Sequence, residues 1–337
     1  MSRVPRKVDP RHLHDAWSQD HGGERLVSGC RLDVSGTGTP PPVTSVDLRV
    51  IASGSGGNLS VLSIRKRDQT RPVHVCIDLG IGPRTLARRL DAHAPDIDLD
   101  DVRAVVVTHP DTDHIRPTWR RALESRGWPV FAAPSHHAAL ARHGVPGKQL
   151  LPLTDGGRRV PVVKDLLDVT IALGPHDDHG SAVLRFCLDP GNVPRTIGWA
   201  TDIGRVTPQV RDLLAGCDFI GLESNYDPVL QARSTRPPFL KERITGGHGH
   251  LSNHEAMETI RSMTDHDRIE AIVLLHLSRE CNDPEIVRRL WGERGAELAA
   301  RLHIADQDVP LDSIRVFESV DHGTAGLLPY PDLTSAS

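Results

Sequence analysis

The sequence predicts an α/β protein in which two sheets pack on each other with helices on the outside. Three observations predict it. Short apolar runs bounded by turn residues recur along the chain, as strands require. These runs arrive in two batches separated by helical stretches, and no segment repeats at a fixed period. In the first batch, 46–52, 59–64, 73–77, 102–107 and 129–132 read as strands, with helices from Pro117 to Arg126 and over 135–143. In the second, 168–173, 181–188, 195–200, 218–222 and 269–275 read as strands. Helices at 208–214, 253–263 and 284–302 and a last strand near 313–317 complete it. The run from Ser35 to Ser45 is rich in Gly, Thr and Pro and has no apolar face to bury. Residues 1–45 are therefore expected to be an arm ending in a flexible linker, 46–320 the domain and 321–337 a poorly ordered tail.

Composition narrows the function classes. The chain has 337 residues, enough for one large domain or two small ones, and 38% hydrophobic with 25% charged residues excludes a disordered chain. No run of about 18 apolar residues is present, so a transmembrane helix and a membrane partner are not expected. The first ten residues carry charge and proline where the apolar core of a secretory signal would start. The five cysteines (Cys30, Cys76, Cys187, Cys217, Cys281) are odd in number, scattered and never in a C-x-x-C pair. Neither a disulfide framework nor a thiolate zinc site is indicated, and a reducing cytoplasm fits best. With a net charge of −4, any nucleic-acid contact must come from a local basic patch.

The chemistry concentrates in Thr108-His109-Pro110-Asp111-Thr112-Asp113-His114, directly after the apolar run 102–107. Two imidazoles and two carboxylates at a strand end can be turned toward one point and suit hard-to-borderline divalent ions. An Asp-rich N-cap would be the plainer explanation of this segment alone. Three further candidates stand at or just past strand ends: His176, Asp202 and His276. Singly each has a structural alternative, as a surface turn, a turn Asp or a satisfied core histidine. Together the seven side chains are enough for two metal ions sharing one carboxylate. The Gly-rich run Ser53 to Asn58 lacks the Gly-Lys-Ser/Thr of a phosphate-binding loop and reads as a tight turn between the first two strands, beneath the site.

At these residues the sequence resembles the metallo-β-lactamase superfamily of hydrolases, whose signature H-x-H-x-D-H is followed by a His, a bridging Asp and a final His. The match falls on His109, Asp111, Asp113, His114, His176, Asp202 and His276, with Asp78 in Ile77-Asp78-Leu79-Gly80 as a structural landmark. The resemblance implies an αββα sandwich of two mixed sheets with helices outside and the metals at one edge. Further segments resemble the YycJ/WalJ branch of the superfamily, bacterial proteins regarded as metal-dependent 5′-to-3′ DNA exonucleases. These are Ala52 to Asn58, Leu222-Glu223-Ser224-Asn225-Tyr226-Asp227, Phe239 to Ile244, Gly249-His250-Leu251-Ser252-Asn253 and His276 to Asn282. The resemblance runs from about Val46 to Phe317. One position departs from it: Asp111 stands where the family usually has His.

Two bridged divalent ions solve phosphodiester hydrolysis by making hydroxide available near neutral pH and neutralising phosphoryl charge. Asp113 is expected to orient the nucleophile and accept its proton, and His250 to contact phosphate or protonate the leaving oxygen. The span from Asp202 to His276 is too short for the inserted β-CASP domain of other nucleic-acid-processing relatives. Within it, Arg233, Arg236, Lys241 and Arg243 form a basic segment where a phosphate backbone can lie. Lys241, Arg243, Ser252 and Asn253 are the expected substrate contacts. Aromatic residues are only 4% of the chain, so stacking platforms are few; Trp119, Tyr226 and Phe239 lie nearest the motifs. DNA is the expected partner, with RNA or a small or cyclic nucleotide as the alternative substrate and a catalytically lapsed regulatory module as the alternative class. The ions are expected to be manganese or zinc, with iron a third option. Because Asp111 replaces a borderline nitrogen with a hard oxygen, the metal held by His109, Asp111, His176 and Asp202 should be manganese or iron more often than in an all-His site. Metal analysis of protein purified without added ions checks this, and two tightly held zincs would refute it.

Overall fold

The computed structural model describes residues 43–188 and 194–319. The expected tail and all but the last three residues of the expected arm lie outside them. Those three residues, 43–45, belong to the first strand.

Two seven-stranded mixed sheets form the framework, as expected. The first contains β1 (Val43–Ala52), β2 (Leu59–Lys66), β3 (Val73–Ile77), β4 (Val102–Val106), β5 (Val130–Ala132), β6 (Leu150–Pro152) and, from the far end of the chain, β14 (Ile314–Glu318). Its order is β14-β1-β2-β3-β4-β5-β6, antiparallel as far as β3 and parallel from β3 to β6. The second sheet contains β7 (Val160–Val163), β8 (Leu167–Gly174), β9 (Ser181–Leu188), β10 (Arg195–Ala200), β11 (Phe219–Glu223), β12 (Ala271–Leu275) and β13 (Leu302–Ile304). It runs β13-β12-β11-β10-β9-β8-β7, antiparallel from β7 to β10 and parallel from β10 to β13.

Each sheet is covered on both faces, so its inner strands are apolar on both sides. Strand β12 shows the pattern: Ala271, Val273 and Leu275 enter the core between the sheets, while Ile272 and Leu274 enter a second core under the helices. Helices α1 (Pro83–His93), α2 (Arg120–Arg126) and α3 (His137–Arg142) accompany the first sheet. The second is followed by α4 (Pro208–Leu214), α5 (Pro228–Arg233), α6 (Pro238–Thr245), α7 (Asn253–Arg261), α8 (Pro284–Arg294) and α9 (Ala296–Ala299). No described helix is long and apolar enough to cross a membrane.

Some elements depart from expectation, each for a local reason. Helix α1 is not expected because it buries only Leu86 and Leu90, one turn apart, on a surface otherwise rich in arginine. Helices α5 and α6 are short, start at prolines, and read in sequence as a basic segment. The helix expected over 284–302 ends at Arg294 before Gly295, and its last residue, Leu302, opens β13. Strands β6 and β7 are short and sit at sheet edges, so they carry little of the alternation that marks a strand.

One buried titratable group bears on stability. His74 on β3 is fully enclosed, its Nδ1 2.9 Å from the Ser63 hydroxyl. Burial lowers its pKa to about 4, with Asp101 opposing. The unfolded chain therefore binds the proton first as pH falls, and the contribution present above pH ~6.5 is lost on the way to pH ~4, amounting to about 3 kcal/mol at most. Urea unfolding of His74→Asn should lose less stability than the unaltered protein between about pH 7 and pH 4.5. Identical losses would show that His74 does not drive the acid limb.

Candidate metal centre

The carboxyl ends of β3, β4, β8, β10, β11 and β12 converge on one edge of the sandwich. Strand β8 reaches the same edge as β10 because antiparallel β9 lies between them. Each of these ends delivers a ligand-type side chain: Asp78, His109, His176, Asp202, Glu223 and His276. Such edges are where sheet folds collect functional residues. Five non-glycine residues among those described have positive φ, and four of them, Asp78, Asp177, Asp202 and His276, lie here. Left-handed backbone at non-glycine positions costs free energy that the surrounding packing must supply.

The segment 109–114 is held from below. Asp78 accepts hydrogen bonds from the Thr108 amide (2.8 Å) and hydroxyl, and its Oδ2 lies 2.7 Å from His114 Nδ1. The amides of His114 and Ile115 both bond the Asp111 carbonyl, closing the turn. Gly80 passes so close beneath that a Cβ there would fall 1.7 Å from the Asp113 carbonyl oxygen. The Gly-rich run is a turn between β1 and β2, as expected, and it also supports the site. Asn58 Nδ2 lies 2.9 Å from His114 Nε2, and the Ser53 hydroxyl accepts the His276 amide at 2.8 Å.

Within the cluster, Asp202 is central. Its Oδ2 is 2.9 Å from His114 Nε2 and its Oδ1 is 3.0 Å from His276 Nδ1. His109, His176 and Asp202 offer ligand atoms within 4.8 Å of one another, and so do Asp113, His114 and His276. Six of the seven expected ligands thus fall into two adjacent groups. The seventh, Asp111, lies outside both. Its side chain is 52% exposed, 3.9 Å from His109 Nε2, and its carboxylate groups instead with His176 and Asp177.

Two residues without an expected role complete the constellation. Glu223, fully buried at the end of β11, contacts His250 Nδ1 at 2.7 Å and His276 Nδ1 at 3.1 Å, and accepts the Ile203 and Leu251 amides. With Asp202, His250 and His276 it forms a further group able to hold an ion. The available signal was an acid ending an otherwise apolar strand, Phe-Ile-Gly-Leu-Glu. Asp177, the residue after His176, pairs with Arg243.

The expected substrate contacts differ in their surroundings. Ser252 and Asn253 are both buried, Ser252 in the capping box of α7 with Glu255, and Asn253 bonded to Ser224 and Asn282. Lys241 donates to the Ala232 carbonyl at the end of α5, and Arg236 pairs with Glu280. Arg243 reaches the site rim through Asp177. Trp119 and Tyr226 are buried, whereas Phe239 is exposed.

The donor set fits divalent cations. His276 Nε2 is buried without a hydrogen-bond partner, 3.6 Å from Asp113 Oδ2. Burial alone would lower His114, but the Asp78, Asp202 and Asp113 carboxylates outweigh it and hold it well above the usual histidine range. His276 is raised well above that range in the same way, chiefly by Asp202 against burial. Burial likewise opposes ionisation of Asp202, yet His276, His114 and His109 hold it well below the usual carboxylate range. The cluster thus favours positive charge among converging imidazole and carboxylate ligands, with Asp78 behind His114 as a supporting carboxylate.

A family model described as a β-lactamase superfamily domain matches residues 74–277, from β3 to just past His276. The chain belongs to the β-lactamase superfamily. It is of the metal-dependent hydrolase class that the sequence predicts. It is 24% identical over 266 residues to exodeoxyribonuclease YycJ of Bacillus anthracis, covering 77% of this chain and 94% of that protein. It is 26% identical over 245 residues to exodeoxyribonuclease WalJ of Streptococcus pneumoniae, covering 70% and 83%. The metallo-β-lactamase fold protein YhfI of Bacillus subtilis superposes with a TM-score of 0.53 at 13% identity, over 79% of this chain and 99% of that one.

Neutralising Asp78 tests how the β-lactamase-superfamily cluster is supported. Asp78→Asn should weaken divalent-metal affinity about 10- to 100-fold in chelator competition. Unchanged affinity would mean that Asp78 serves only the backbone turn.

Proposed function

We propose that the chain is a metal-dependent phosphodiester hydrolase acting as a 5′-to-3′ exodeoxyribonuclease. The observation that carries this reading is the alignment with a protein named exodeoxyribonuclease over 94% of that protein's length, in a chain whose His and Asp residues converge at one sheet edge. In this reading His109, His176 and Asp202 hold one divalent ion, Asp113, His114, His276 and the shared Asp202 hold a second, and Asp111 joins the first set from the rim. When bound, the ions supply a lowered pKa for water and a counter-charge for the phosphoryl oxygens. The hard carboxylate at 111 favours manganese or iron in the first set over what an all-His site would hold.

The chain's own groups do the rest. Asp113 is 24% exposed and lies within 4 Å of both His114 and His276. Burial opposes its ionisation, but the neighbouring histidines hold its carboxyl below the usual range, so it is an anion that can accept and orient a water O–H. His250 is fixed through Nδ1 by Glu223, which leaves Nε2 to carry a proton to the leaving oxygen. Against the effect of burial, Glu223 and then Asp202 raise His250 above the usual histidine range, which favours the proton-bearing form near neutral pH.

A small-phosphodiester substrate is favoured by one observation. Two of the four cations of the basic segment are paired within the fold, Arg236 with Glu280 and Arg243 with Asp177. Digestion of end-labelled linear DNA by metal-stripped protein, with manganese, magnesium or zinc restored, separates the readings. Stepwise loss from the 5′ end should fall about 10²- to 10⁴-fold in Asp113→Ala. His250→Ala should lose a similar factor on DNA yet keep most of its rate on bis(nitrophenyl) phosphate, whose leaving group needs no proton. Cleavage of the small diester alone would replace DNA as the substrate.

A further inference from the structure

We infer that Phe239 is a base-stacking platform that makes the site selective for the unpaired end of a DNA strand. The inference rests on the nuclease reading above and adds what distinguishes the strand end from any other phosphodiester.

Among the described residues Phe239 is the most exposed large apolar side chain, at 72%. It lies on α6, whose inward stripe is Leu240 and Ile244, one turn apart and packed with Tyr226 and Cys281. Phe239 and Arg243 repeat that spacing one position earlier and share the outward stripe, with Cβ atoms about 5–6 Å apart. Core packing therefore does not account for Phe239.

Helix α6 is fastened to the metal centre. The Arg243 guanidinium pairs with Asp177, whose carboxylate lies 4.0 Å from His176 Nε2. The His250 amide donates to the Ile244 carbonyl at 3.0 Å, and the Gly249 carbonyl contacts His176 Nδ1 at 3.1 Å. Gly249 has no space for a Cβ, which would lie 2.5 Å from the Arg243 carbonyl. The aromatic ring is thus held one helical turn beyond a cation at the rim of the cluster. Phe239 is therefore linked to His176 through one helical turn, Arg243 and Asp177.

Local charge favours stacking over backbone attraction as the source of affinity. Arg243 is already paired with Asp177, and exposed Glu242 follows Lys241 on the helix. An aromatic face accepts any base, and a base of an unpaired strand reaches it without the cost of breaking a base pair, so the gain is larger for a single strand than for a duplex.

The test reads binding without cleavage: fluorescence anisotropy of 3′-labelled DNA whose 5′-terminal linkages are cleavage-resistant phosphorothioates, with the metal-restored protein and with bis(nitrophenyl) phosphate hydrolysis as the control for an intact site. Phe239→Ala should weaken single-strand binding about five- to a hundred-fold, while Phe239→Trp retains it. The loss should vanish for a strand whose terminal nucleotides are abasic and be smaller for a blunt duplex, and the small-diester rate should not change. Equal affinity of Phe239→Ala and the unaltered protein for the single strand overturns the inference while leaving the nuclease reading intact. A loss that persists on the abasic strand also overturns it, since it shows a structural role. If the unaltered protein neither binds nor cleaves DNA yet hydrolyses the small diester, both readings fall together.

Discussion

Everything at the functional edge depends on one buried carboxylate. Asp202 leaves β10 in a left-handed backbone conformation and lies between His114 and His276, within 3.0 Å of each. An anion so buried is stable only where positive charge meets it. The chain supplies imidazoles from both sheets for this purpose, His109 and His114 from the first and His276 from the second. The two sheets are consequently tied together at this edge by electrostatics as well as by the apolar core between them. The amide of His276 bonds Ser53 in the first sheet's first turn, and Ala182 at the start of β9 bonds the Thr108 carbonyl, so backbone contacts cross at the same place.

What the sequence made legible follows from where information is local. The segment 109–114 packs its ligand residues into one turn and the apolar strand before it fixes where that turn sits. His176, Asp202 and His276 were readable because each closes an apolar run. Strands such as β12, apolar on both faces, were equally clear. Glu223 is hard to single out in sequence, since an acid that ends a strand looks like a turn residue until the fold brings His250 and His276 to it. Asn58 and Ser53 looked like turn formers and nothing more, and their contacts with His114 and His276 span gaps of 56 and 223 residues. Ser252 and Asn253 carry a structural role that the motif beside His250 does not reveal: Ser252 is a helix cap and Asn253 a buried hydrogen-bond partner.

The basic segment 233–243 shows how far charge counting misleads when pairing partners are distant. In sequence its four cations form a strip ready for phosphates. In the fold, Glu280 and Asp177 reach two of them, and Lys241 caps a short helix. Long-range attraction of a nucleic acid by this strip is therefore weaker than composition suggests, and short-range contacts must do more of the discrimination. Arg243 keeps a distinct position because the acid that pairs it adjoins His176.

The cluster also shows what the fold gives up for function. Asp78, Asp202 and Glu223 are buried together with His109, His114 and His276, and four residues of this region hold a left-handed backbone without being glycine. Apolar side chains of similar volume would satisfy the same cavity with less desolvation, so this grouping does not serve stability. Its upkeep is visible in the supports around it: Gly80, which tolerates no Cβ beneath Asp113, the paired hydrogen bonds from Thr108 to Asp78, and the two amides that hold Glu223. A fold carries such a concentration of strain and buried charge where a ligand of opposite charge settles it, and the convergence of three carboxylates with histidines identifies that ligand as cationic.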